Sequence, residues 1–82
     1  MRIYDEATLT ASETLFVESF SDAVEQMLAK KTMREWAYEA HEHGMKIGEY
    51  LDSKILSMIM KQYKRGFISS EDRDLLRWYT GV

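Results

Sequence analysis

The two histidines are the residues of this sequence that are best suited to bind a metal ion. His41 and His43 flank Glu42 at positions i and i+2, and on a helix that spacing sets two side chains about 200° apart. They cannot share one metal ion there, because helical zinc sites use i and i+4 spacing together with further ligands. We therefore expect structural or solvated histidines, with no metal site and no cofactor.

Patterns typical of an active site are missing from the sequence. There is no nucleophile elbow, no glycine-rich phosphate loop and no spaced pair of carboxylates. The chain has no cysteine, which excludes disulfides, thiolate chemistry and cysteine-ligated zinc. The serines fall at predicted helix starts and on polar faces. We expect no enzymatic activity.

Basic residues concentrate in the last third of the chain and raise the question of nucleic-acid binding. Residues 1–53 carry eleven acids and five bases, whereas residues 54–82 carry six bases and three acids. This asymmetry is typical of a partner surface, of two copies that meet head to tail, or simply of solvated faces. The candidate nucleic-acid contacts are Lys54, Lys61, Lys64, Arg65, Arg73 and Arg77.

Residues 40–55, reading AHEHGMKIGEYLDSKI, carry a likeness to a known family. One helix ends at Gly44, and a short turn leads to a second helix that begins with an acid and two apolar residues. This segment resembles the two-helix half of ribbon-helix-helix repressors. The resemblance implies an obligate dimer whose paired N-terminal strands read the major groove, but here the upstream residues 16–28 have a helical pattern.

The same segment, taken over residues 36–58, also has the turn spacing of a generic helix-turn-helix. Glu39 and Ser53 fall where that motif has apolar residues. Acids around the turn oppose phosphate binding. Because these features oppose DNA binding while the turn spacing favours it, a DNA-binding transcriptional regulator is our alternative interpretation and not our first.

Local signals predict an all-α, four-helix domain. Three segments have capping-box spacing, Thr10 to Glu13, Thr32 to Glu35 and Ser69 to Asp72. Gly44 and Gly66 stand where a left-handed residue ends a helix, and no proline interrupts any of them. The prediction is one domain over residues 1–82, with an irregular lead-in or arm at 1–9. In this lead-in, Ile3 and Tyr4 either fold back on the core or form a short strand or arm. The predicted helices lie near 11–30, 33–43, 47–65 and 70–80.

The third predicted helix is apolar around most of its circumference. At 100° per residue, its apolar arc widens past Ile55 to roughly 220°. We expect the side with Ile47, Leu51, Ile55 and Met58 to pack on the first two helices. The opposite side needs other cover, from a second chain or a partner. The candidate interface residues are Leu56, Met60, Tyr63, Phe67, Trp78, Tyr79 and Tyr38.

These features favour a small helical protein–protein interaction module. We expect a homodimer that acts as a regulator or inhibitor by binding an unidentified partner protein. Such a protein is of the size that phages and other mobile elements encode. No signal peptide is visible and the longest apolar run is too short for a membrane span, so we expect a soluble, cytoplasmic protein without a membrane partner.

Overall fold

Four α-helices follow one another in the computed structural model, which describes residues 4–82. A short 3₁₀-helix, Glu6–Thr8, precedes them. Within the described range there is no strand, and the all-α prediction is confirmed. Each predicted boundary lies within two residues of the observed one. The helices are α1 (Ala11–Leu28), α2 (Met33–Glu42), α3 (Ile47–Lys64) and α4 (Ser70–Thr80).

Three of the four helices begin with the predicted capping boxes. At the start of α1, the Glu13 amide donates to the Thr10 hydroxyl over 3.1 Å, and the Thr10 amide donates back to the Glu13 carboxylate over 3.0 Å. The same reciprocal bonds form at α2 and α4. Each pair supplies acceptors to amides that have no partner within the helix. The sequence pattern therefore predicts where these helices start.

Glycines end the second and third helices as expected. Gly44 has φ 67° and Gly66 has φ 76°, a left-handed conformation that costs glycine little. After Gly66, the Phe67 amide returns to the Gln62 carbonyl over 3.0 Å. This bond closes the last turn of α3 and directs the chain into α4.

The central helix α3 belongs to two separate hydrophobic clusters. Its N-terminal half packs with α2 through a cluster built on Trp36, Ala40 and Tyr50. Its C-terminal half contributes the fully buried Ile59 to a larger cluster. The other buried members of that cluster are Val17 of α1 and Leu75 and Leu76 of α4.

This arrangement explains why the apolar arc of α3 widens past Ile55. The N-terminal half packs mainly on α2, with Met27 of α1 also packed against their shared cluster, and one apolar stripe suffices there. The C-terminal half is packed against α4 and also shares its cluster with α1. Because two helices approach it from different sides, more of its circumference is apolar. Much of the wide arc is thus explained within one chain.

The lead-in folds back on the chain at Tyr4, which is one of the alternatives that the sequence left open. Its hydroxyl donates to the Glu71 carbonyl over 3.1 Å, and its ring lies 5.8 Å from that of Trp78. Leu9 also packs against the larger cluster. Ile3, for which the same alternatives were open, lies outside the described residues.

The described chain is elongated. Its principal extents are 39 × 21 × 21 Å and its radius of gyration is 13.9 Å. A compact chain of this length has a radius of gyration of about 12 Å. Only seven apolar side chains are buried among the described residues. The core is consequently thin and leaves several large apolar side chains at the surface.

Candidate interaction surface

Leu56, Met60 and Tyr63 lie on one face of α3, as their spacing predicts. All three are half-buried, so intrachain packing covers part of each. The Arg73 guanidinium of α4 stacks over the Tyr63 ring at 4.6 Å. The remaining exposed edges form a strip along the C-terminal half of α3.

Phe67 lies just beyond the C-terminal end of α3, where this strip ends. Its side chain is 70% exposed, more than any other large apolar residue of the described chain. It follows Gly66 directly, in the turn between α3 and α4. A phenylalanine at this exposure presents much of its ring to water, which is unfavourable at about 25 cal/mol per Å² of apolar surface. We call Leu56, Met60, Tyr63 and Phe67 the α3 strip.

Trp78 and Tyr79 are tied more closely to the core of their own chain. Trp78 is 37% exposed, and its ring lies between those of Tyr4 at 5.8 Å and Tyr79 at 6.5 Å. Tyr79 is half-buried against the larger cluster. The structure therefore brings these two residues together with the lead-in.

Tyr38 stands apart from the other candidate interface residues. It is 68% exposed on α2, which packs on the opposite half of α3 from Phe67. From Tyr50, where α2 packs, to the end of α3 is about 20 Å along the helix. One contact surface would have to be long to include both Tyr38 and the α3 strip.

Two exposed apolar residues were missed by the sequence interpretation. Leu15 of α1 and Met33 of α2 are each 66% exposed. The helical wheel sets Leu15 about 200° from the buried Val17, which is a signal that could have identified it. Met33 is the first residue of α2 and lies about 60° from the buried Trp36 on the wheel, so its wheel position gives no sign of exposure.

Three of the six candidate nucleic-acid contacts are engaged within the chain. The Lys54 ammonium lies 5.3 Å from the centre of the Tyr50 ring. Arg73 pairs with Asp74 at 3.0 Å, and Arg77 donates to the Val82 carbonyl at 3.3 Å. The other three residues are exposed and lie at the C-terminal end of α3: Lys61, Lys64 and Arg65.

A groove of about 350 Å³ separates α1 from the C-terminal half of α3. We call it the α1/α3 groove. Its α1 wall has Phe16, Ser19, Phe20 and Ala23, and its α3 wall has Met58, Lys61, Gln62 and Arg65. Ile68 and the buried Leu76 complete the lining. The groove is apolar within, has two cations on one wall, and has no carboxylate in its lining.

A second cavity, of about 410 Å³, lies along α2 and is lined by five charged residues and Tyr38. Beside it, the Lys31 ammonium contacts the Glu39 carboxylate at 2.7 Å and stacks over the Trp36 ring at 4.9 Å. The hydrogen bond from Lys31 lowers the pKa of Glu39, and the same bond raises the pKa of Lys31. This pair fastens the α1–α2 turn to α2.

The histidines near the end of α2 have different surroundings. His43 has Nδ1 2.9 Å from the Glu39 carbonyl, and its ring lies 4.9 Å from that of Tyr50. His41 is exposed. Across residues 4–82, no three acidic, histidine or cysteine side chains lie close enough together to hold a metal ion.

Hydropathy along the four helices provides a further finding. Within the described part of the chain, none of them combines the length and apolar character needed to cross a bilayer.

Comparison of the chain with models of protein families, with curated proteins and with solved structures finds no match.

Proposed function

We propose that the protein is a small helical interaction module, which forms a homodimer and regulates or inhibits a partner protein by occupying its surface. The observation that carries this proposal is the α3 strip with the 70% exposed Phe67. In a chain with so few fully buried side chains, a second molecule offers the missing cover.

The composition of the α3 strip supports an interface. Aromatic residues and methionine are enriched at the cores of protein interfaces, while lysine and acidic residues are depleted there. Methionine also adapts its shape to a partner because it is unbranched. Two strips that meet across a two-fold axis would place each residue against its counterpart or a neighbour. No charged residue belongs to the strip, so such contact would bury no unpaired charge.

Replacing Met60 by lysine tests the dimer. Light scattering over a range of protein concentrations should give the mass of a dimer for the original chain and that of a monomer for Met60→Lys. The fold should survive, because a half-buried lysine extends its ammonium to water along its own alkyl chain. Circular dichroism should therefore show unchanged helicity.

Met33→Lys is the matched control, since Met33 is an exposed methionine on α2. It should leave the mass of the dimer unchanged. A strictly monomeric original chain at high micromolar concentration would contradict the proposal, as would a fully dimeric Met60→Lys variant.

A DNA-binding regulator is the second candidate function. What favours it is the group of exposed bases at the C-terminal end of α3, Lys61, Lys64 and Arg65. Binding through them should weaken steeply as salt rises, and it should disappear in a variant with both Lys61→Glu and Lys64→Glu. A gel-shift titration with duplex DNA at low salt tests whether the protein binds DNA. If the DNA does not shift even at low salt, this function is dismissed.

A further inference from the structure

The α1/α3 groove exists because α1 and α3 both pack on α4 but make little contact with each other. In a closed helical bundle, side chains of adjacent helices would fill this space. Here Phe16 and Phe20 on one wall and Met58 on the other remain half-buried around an open volume of about 350 Å³.

The groove also continues a face of α3 that already binds a helix. In the N-terminal half of α3, α2 packs against Ile47 and Leu51. At 100° per residue, Met58 lies within about 20° of both of these residues on the helical wheel. The position that α2 occupies along the first half of α3 is therefore vacant along the second half. A vacant helix position is best filled by another helix.

We propose that the α1/α3 groove binds an amphipathic helix of a partner protein, one whose apolar stripe is flanked by carboxylates. This inference rests on the proposed interaction function and identifies the chemistry of the partner. The groove lies on a different face of α3 from the α3 strip, because Met60 is about 200° from Met58 on the wheel. Dimerisation and helix binding are consequently separate properties.

The positive charges on the α3 wall of the groove determine which partner helices it would bind. Lys61 and Arg65 are one turn apart on the α3 wall, and the lining contains no acid to neutralise them. A partner helix with carboxylates at i and i+4 along one edge would pair with both. A helix with a basic edge would meet two like charges instead, which disfavours it.

The length of the groove sets the size of the apolar stripe. The lining spans seven residues of rise on α1, from Phe16 to Ala23, and the same on α3, from Met58 to Arg65. At 1.5 Å per residue this is about 10 Å, or two helical turns. Two or three apolar anchors at i, i+4 and i+7 would fill it.

A pair of synthetic peptides provides the test. One fluorescent peptide carries leucines at i, i+4 and i+7 with glutamates along both edges, and its counterpart has lysine in place of every glutamate. Fluorescence anisotropy with the full chain should show saturable binding of the glutamate peptide and at least about tenfold weaker binding of the lysine peptide.

Two variants locate the binding site. Lys61→Glu combined with Arg65→Glu should weaken binding of the glutamate peptide by about tenfold or more and strengthen that of the lysine peptide. The control with the same change in net charge is Lys30→Glu combined with Arg34→Glu, at exposed positions outside the groove, which should change neither. Ala23→Trp should fill the groove and abolish binding of the glutamate peptide, while the helicity of the chain remains unchanged.

The outcomes separate this inference from the dimer. Saturable binding with unchanged dimer mass, lost in Ala23→Trp, supports it. Absence of glutamate-peptide binding, equal binding of both peptides, or binding unaffected by Ala23→Trp would overturn it while leaving the dimer intact. Binding that occurs only as the dimer dissociates, or displacement of the peptide by duplex DNA, would assign the groove to another occupant and also overturn it.

Discussion

Ile59 shows how the larger cluster is assembled from several helices. Its side chain is fully buried and shares a cluster with Val17, Leu75 and Leu76 from two other helices. Truncating a buried isoleucine to alanine costs about 2–5 kcal/mol. A domain of this length has a total stability of roughly 4–12 kcal/mol. A single such side chain therefore supports a large part of the folded state.

The Lys31–Glu39 pair makes stability depend on pH. Because its hydrogen bond with Lys31 lowers the pKa of Glu39 in the folded chain, the pair's contribution is fully present above the ordinary glutamate pKa. It is lost as the pH falls through the lowered native pKa. Since the pKa of Lys31 is raised, the contribution is also lost at alkaline pH, above the ordinary lysine value.

Thermal melts between about pH 6 and pH 3 measure this effect. The Glu39→Gln variant should have a lower melting temperature than the original chain at pH 6, and the difference in melting temperature should shrink toward pH 3. Glu42→Gln, an exposed position on the same helix, serves as the control and should follow the original chain throughout. A Glu39→Gln deficit that stays constant with pH would show that the charge of Glu39 is unimportant.

At the scale of the elements, α3 differs from the other helices in how it begins. Its N-cap is Lys46, which makes no side-chain hydrogen bond to the first turn. A lysine also places positive charge at the positive end of the helix dipole. This end of the helix has no side-chain cap. It is held by the turn that connects it to α2 and by the cluster around Tyr50. Packing here compensates for a weak local signal.

Lys46→Asp should therefore stabilise the protein. An aspartate at this position can accept from the free amides of the first turn and has the favourable charge. A gain of about 1 kcal/mol is expected, which corresponds to a rise in melting temperature of about 4–8 °C. Lys46→Ala removes the unfavourable charge but adds no cap, and it should gain much less. An equal gain from both variants would mean that capping has no part in the effect.

At the scale of the whole molecule, α3 is the helix common to both clusters. The larger cluster draws on α1, α3, α4 and the lead-in, whereas the smaller one has only Trp36, Ala40 and Tyr50 as its buried members. Local opening is least costly where few apolar side chains are buried. The end of the molecule with α2 should therefore open more readily than the end with α4.

Hydrogen exchange followed by mass spectrometry measures this difference directly. Amides of α2 should exchange faster than those of α4 and of the C-terminal half of α3. Trp36→Phe removes the bond from Trp36 Nε1 to the Leu28 carbonyl, 2.9 Å long, and should accelerate exchange in α2 while α4 is unaffected. Equal acceleration in all helices would indicate a single cooperative unit instead.

The amino-acid sequence determined the helices of this protein, because its capping boxes and stop glycines act within one helical turn. Thr10, Thr32 and Ser69 cap the amides of nearby residues whatever the rest of the chain does. That is why the predicted boundaries agree so closely with the observed ones. The exposure of Tyr38 is also consistent with its position about 200° from the buried Trp36 on the wheel.

Which neighbour covers each side of those helices depends on the tertiary structure. The sequence showed a wide apolar arc on α3, but it could not assign that arc to α4, to α1 or to a second chain, because burial depends on how helices distant in sequence approach each other. The exposure of Met33 and the groove between α1 and α3 both follow from that approach. The α1/α3 groove in particular arises where two helices that pack on a third stay apart along part of their length, which no local pattern encodes.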